Sequence, residues 1–109
     1  MTPRSYLNSF ELMVLLAIIR LGDTAYGVTI SHELEETTGR DTVLGSVYNA
    51  LDRLEAKGLT TSRLGDPTPA RGGRAKRYFH VNAKGISEVE TTRQALTALW
   101  TLVPEGGRP

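Results

Sequence analysis

The sequence contains no cysteine. That excludes a disulfide framework, a thiolate nucleophile and a thiol metal site. Aromatic residues are few, with one Trp, four Tyr and two Phe. Long apolar runs are also missing. The best one, residues 12–19, falls far short of the ~20 residues a membrane-crossing helix needs, so no membrane association is expected. Glu11 arrives before any long apolar run, and no signal peptide is expected. His32 and His80 stand alone, without metal-ligand spacing, and Gly72-Gly73 reads as a turn because no GxGxxG or GxxxxGK[ST] loop accompanies it. With no nucleophile–base pair, cofactor loop or metal cluster, neither an enzyme nor a cofactor or metal site is expected.

An excess of one charge sign is absent too: 13 Lys+Arg face 12 Asp+Glu, a net of +1. The distribution is less even. Residues 53–84 hold eight basic side chains against two acidic ones, a local +6, and the remainder carries −5. Such asymmetry points to nucleic acid or another anionic surface. At 109 residues the chain is one domain, or one domain with an appended helix. Its small size makes oligomerisation a plausible supplement to the core.

Hydrophobic periodicity predicts four helices. The first runs from about Asn8 or Ser9 to Leu21, with Ser9 as a candidate N-cap, Glu11 in the first turn and apolar residues on nearly all sides. The second runs from Tyr26 or Gly27 to Thr38, and Gly39 is its stop, since glycine takes the left-handed conformation without steric cost. The third opens near Gly45-Ser46 and stops at Gly58, with Val47, Leu51 and Leu54 facing inward and Ser46, Asn49, Arg53 and Lys57 on another face. Residues 59–64 and 74–81 read as strands around a loop punctuated by Asp-Pro, Thr-Pro and Gly-Gly, a hairpin with a long basic tip. The last helix starts near the N-cap Asn82 and reaches about Val103. Its stripe of Ile86, Val89, Leu96, Trp100 and Val103, interrupted by Arg93, reads as a heptad seam with one polar position.

Helix–helix–helix–hairpin is the layout of a winged helix-turn-helix: a mainly α (α+β) fold with a two-stranded wing. Residues 1–81 form the expected DNA-binding domain and residues 82–109 the dimerisation helix and tail. Reading DNA requires a helix with small polar and basic side chains on its outer face. Ser46 and Asn49 suit base edges, while Arg53 and Lys57 suit phosphates. Arg71, Arg74, Lys76 and Arg77 of the hairpin suit the backbone or a minor groove. The fold alone leaves an acidic protein or RNA open as the partner.

The chain also resembles the PadR family of bacterial transcriptional regulators. The resemblance is carried by Tyr26-Gly27, Gly45-Ser46-Val47-Tyr48, Leu51-Asp52-Arg53-Leu54, Lys57-Gly58-Leu59, the segment Gly72-Gly73-Arg74-Ala75-Lys76-Arg77-Tyr78, and Asn82-Ala83-Lys84-Gly85. It implies a cytoplasmic homodimer, usually a repressor of a palindromic operator in double-stranded DNA, of the short class with one C-terminal dimerisation helix. It implies Tyr48 and Tyr26 as phosphate contacts, Tyr26 beside the N–H groups that open its helix. Tyr48 as a plain boundary tyrosine stays open. Some short-class members hold planar hydrophobic compounds between the first and last helices. Here that implies Leu12, Leu15 and Trp100 as effector-binding residues, with Trp100 about one turn later than the family's aromatic usually falls. On the residues alone, Trp100 reads as an interface anchor ahead of a ligand platform, because a Trp on a seam already gains by burial.

Overall fold

The computed structural model describes residues 7–66 and 75–101. In chain order the elements are α1 (Ser9–Leu21), a short 3-10 turn (Gly22–Thr24), α2 (Gly27–Thr38), α3 (Leu44–Ala56), β1 (Thr60–Leu64), β2 (Arg77–Val81) and α4 (Ala83–Trp100). This is the winged helix-turn-helix with one further helix. Arg74, Val103 and the hairpin tip lie outside the described residues.

Capping chemistry sets the helix ends. The N-cap of α1 is Asn8 and not Ser9: the Asn8 side chain accepts from the Glu11 N–H at 2.8 Å, and the Glu11 carboxylate accepts from the Asn8 N–H at 3.2 Å. Asn rivals Ser as a cap, and Glu three residues later completes a reciprocal box. α2 stops at Gly39 in the left-handed region, φ 73°. α3 begins one residue earlier than expected, on an extended Val43, and gives way to Gly58 at φ 76°.

Three helices and the sheet share one core. Val14, Leu15 and Ile18 of α1 meet Ile30 and Leu34 of α2, Val47, Leu51 and Leu54 of α3, and Phe79 of β2. Burying each such large side chain contributes roughly 1.5–3 kcal/mol relative to leaving it in water. The nearly all-round apolar α1 is not central on every face: Met13, Leu16 and Ile19 stay exposed. β1 and β2 pair antiparallel, Thr60 opposite Val81 and Leu64 opposite Arg77. β2 is tied to the helices through the Phe79 N–H, which donates to the Ala25 carbonyl at 2.9 Å.

Asn82 joins the body to α4. Its N–H donates to the Leu59 carbonyl at 3.1 Å, its side-chain amide donates to the Gly58 carbonyl at 2.8 Å, and its side-chain oxygen accepts from the Gly85 N–H at 2.8 Å. Gly85 permits this closeness, since a Cβ there would stand 2.3 Å from the Leu59 carbonyl oxygen. Beyond it, α4 outruns the body. Along one heptad row Gly85 and Thr92 are buried but Leu99 is exposed, and along another Val89 is buried but Leu96 is exposed.

Candidate nucleic-acid interface

The stripe of Val47, Ala50, Leu51 and Leu54 fixes how α3 is turned. Gly45, Asn49, Asp52 and Ala56, spaced by four, three and four, lie opposite it and are all exposed. Ser46 is exposed on one flank and Tyr48 on the other. Small Gly45 and Ala56 around Asn49 and Asp52 let another surface approach this line closely. Tyr48 lies across the start of α2, where a Cβ on Gly27 would sit 2.5 Å from its ring.

Arg53 and Lys57 have another commitment. Glu11, 2% exposed, receives the Arg53 Nε–H at 3.0 Å and the Lys57 ammonium at 2.9 and 3.0 Å. Burial pushes the Glu11 carboxyl up. The hydrogen bonds from Lys57 and Arg53, the Asn8 N–H and the Lys57 charge outweigh it and hold the group below the ordinary carboxylate value. These two cations therefore clamp α3 to the start of α1. Arg53 remains 47% exposed beyond its bound Nε, whereas both Lys57 bonds go to the carboxylate.

The wing places a cation–aromatic stack beside α3. The Tyr26 and Tyr78 rings meet edge to face, with centroids 5.5 Å apart. The Lys76 ammonium sits 4.5 Å from the Tyr26 ring centre, and the Arg63 guanidinium 5.1 Å from that of Tyr78. Arg77 donates across the hairpin to the Ser62 hydroxyl at 3.0 Å. Such contacts hold long cationic side chains in a narrow range of positions. Tyr26, Tyr48, Asp52, Lys76 and Arg77 border one notch of about 700 Å³ between α2, α3 and the wing. Of the expected contact residues, Tyr26, Tyr48, Lys76 and Arg77 thus border this notch, while Ser46 and Asn49, exposed on α3, border a second groove together with Arg53. Arg53 and Lys57 are tied to Glu11, and Arg71 and Arg74 fall outside the described residues. Arg63, Tyr78 and Asp52 were not among the expected residues. Period-two alternation could have placed Arg63 and Tyr78 on the wing, but pairing them needs the hairpin register.

The opposite side is apolar. Leu12, Leu16, Val89, Leu96 and Trp100 border a groove of about 440 Å³ between α1 and α4. Leu12 and Trp100 fall there. Leu15 does not: it is 0% exposed and belongs to the core, because α1 turns its Val14–Leu15–Ile18 face inward. Of the expected seam, Ile86, Leu96 and Trp100 are exposed, while Val89 is taken by the chain's own core. Arg93 also borders the groove and pairs with Glu90 one turn back. Leu99, 64% exposed beside Trp100 at 67%, joins this face and was missed.

Among the described residues no cluster of His, Asp or Glu is suited to a metal ion, and no helix is long and apolar enough to cross a membrane. Comparison with known proteins agrees with the architecture. A PadR-like transcriptional regulator from Bacillus cereus superposes with a TM-score of 0.69 at 24% identity, covering 86% of both chains. A transcriptional regulator from Clostridium thermocellum gives 0.72 at 20% identity, covering 90% of this chain and 92% of that one. A PadR-like transcription factor from Bacteroides fragilis gives 0.70 at 23% identity, covering 86% and 85%. No curated protein matches the sequence. The sequence model of the PadR-like transcriptional regulators, a family of regulators and not of enzymes, matches residues 15–91, from the core of α1 through the wing to α4, and the chain belongs to that family.

Proposed function

We propose that this chain is a cytoplasmic, homodimeric repressor that binds a palindromic operator in double-stranded DNA and is released by a planar hydrophobic effector. The observation that carries the DNA reading is the stack of Arg63, Tyr78, Tyr26 and Lys76 beside the exposed line of α3. It supports α3 in the major groove, with Ser46 and Asn49 at base edges, and Tyr26, Tyr48, Lys76 and Arg77 at phosphates, joined by Arg71 and Arg74 of the wing tip. Arg53 serves as a phosphate contact through the part of its guanidinium that Glu11 leaves free. Lys57 serves chiefly to hold the helix. Pairing through α4 is supported by its exposed Leu96, Leu99 and Trp100 beyond the body, since a contiguous exposed apolar strip of this kind marks an interaction surface. The α1–α4 groove, with Leu12 and Trp100 on its border, is the effector site of this reading.

The test combines light scattering with selection from a random duplex library. The expected result is a dimer that enriches an inverted repeat, with affinity falling steeply as salt rises. A monomer, or binding without sequence preference, overturns the reading. Quenching of the single tryptophan by planar hydrophobic compounds, coupled to loss of DNA binding, tests the effector. No quenching by any such compound removes it.

A further inference from the structure

Asp52 stands on the line of α3 that the proposed function turns toward DNA, and its charge is the wrong sign for a phosphate. Nothing in the helix accounts for it. It lies mid-helix, beyond the first turn where an acid gains from the helix dipole. Its neighbours three and four positions away are Asn49, Glu55, Tyr48 and Ala56, none of them basic. Aspartate is also a poor helix former. Among the described residues it makes no hydrogen bond or ion pair. Arg53 and Lys57 are turned to Glu11, Arg77 reaches Ser62, and Lys76 lies over Tyr26.

We propose that Asp52 reads a base: its carboxylate accepts a hydrogen bond from the N4 amino group of a cytosine in the major groove. This rests on α3 being the reading helix. Cytosine N4 is the donor that a short carboxylate suits, just as adenine N6 and N7 suit an asparagine. Asn49 precedes Asp52 by one turn on the same exposed line. Their offset along the axis is about 4.5 Å, at ~1.5 Å per residue. That is one to two of the ~3.4 Å steps between successive base pairs, so the two side chains meet adjacent or next-adjacent pairs. The carboxylate adds little affinity of its own. Facing the N7 and O6 of a guanine or the O4 of a thymine it meets acceptors, and it rejects that sequence by repulsion.

The experiment is selection from a random duplex library with the wild type, Asp52→Ala and Asp52→Asn, followed by binding titrations on the enriched site and its single-base variants. Wild type is expected to prefer cytosine at one position per half-site by roughly 5- to 150-fold, the usual range for one mismatched pair. Asp52→Ala is expected to lose the preference at that position alone, and Asp52→Asn to move it toward adenine. Ala and Asn on an exposed helical face leave the fold intact, and melting curves check this. If wild type enriches a sequence but both variants keep the same preferences and only bind all DNA more tightly, Asp52 is merely repulsive and the inference is overturned. If wild type enriches no sequence, the proposed function itself fails, and this inference with it.

Discussion

Glu11→Gln keeps the volume of a buried side chain and removes its charge. The carboxylate receives three hydrogen bonds from two cations, at 2.9 to 3.0 Å, while only 2% exposed. Hydrogen bonds to charged groups contribute about 1.5–3 kcal/mol each, and removing one partner of a buried ion pair costs about 3–5 kcal/mol. Here the loss is smaller. Arg53 and Lys57 are half-exposed and turn to water, glutamine still accepts one bond, and relief from burying a charge offsets part of the remainder. The net expected loss is about 2–3 kcal/mol. For a domain of this size that lowers Tm by roughly 10–20 °C. The pH dependence gives a second readout. The carboxyl lies below its ordinary value of 4.5 when folded, so its stabilisation is full above that value and is lost as pH falls through the folded pKa. Thermal melts of both proteins between about pH 7 and about pH 3 should show a gap that is constant near neutrality and closes in acid. An unchanged Tm in the variant, or a gap as wide in acid as at neutrality, refutes the buried ion cluster.

Lys76→Ala combined with Arg77→Ala removes four wing cations from a dimer and should flatten the dependence of log Kd on log salt by roughly 3–4 units; an unchanged slope takes these residues off the backbone. Gly27→Ala drives a methyl into the Tyr48 ring. Because Tyr48 is exposed and can swing aside, the expected outcome is weaker DNA binding with little change in Tm, measured by anisotropy and melting. Gly85→Ala meets backbone that cannot move aside and should lower stability by about 1–3 kcal/mol or more, read by denaturant titration. Leu99→Asp places a charge in the exposed α4 strip and should shift light scattering from dimer toward monomer.

Local rules reached the elements. The glycines after α2 and α3 and the Asn82 cap are short-range signals, and each lies where the chain turns. The same rules could not orient α1, whose apolar residues surround it: choosing Leu15 for the core and Leu16 for the surface depends on where α2 and α3 pack. The role of Glu11 was equally hidden. In sequence it is a first-turn acid, and its cations lie 42 and 46 residues away. Arg53 and Lys57 were visible as helical cations, but a rotation of α3 toward α1 decides whom they face. Asp52 carries no local signal of its own, and only the way α3 is turned puts it on the outermost line.

The clasp at Asn82 leaves no compliant link between α3, the wing and α4 among the described residues. α4 has 18 residues and is therefore about 27 Å long. A rigid arm of that length converts a tilt of ~10° at one end into a displacement of ~5 Å at the other, more than one base-pair step of ~3.4 Å. In the proposed dimer, the angle at which two such arms cross sets the distance between the two reading helices. The spacing of the operator half-sites is then dictated by side chains that never approach the DNA, and substitutions along the exposed strip of α4 retune it without altering which bases are read.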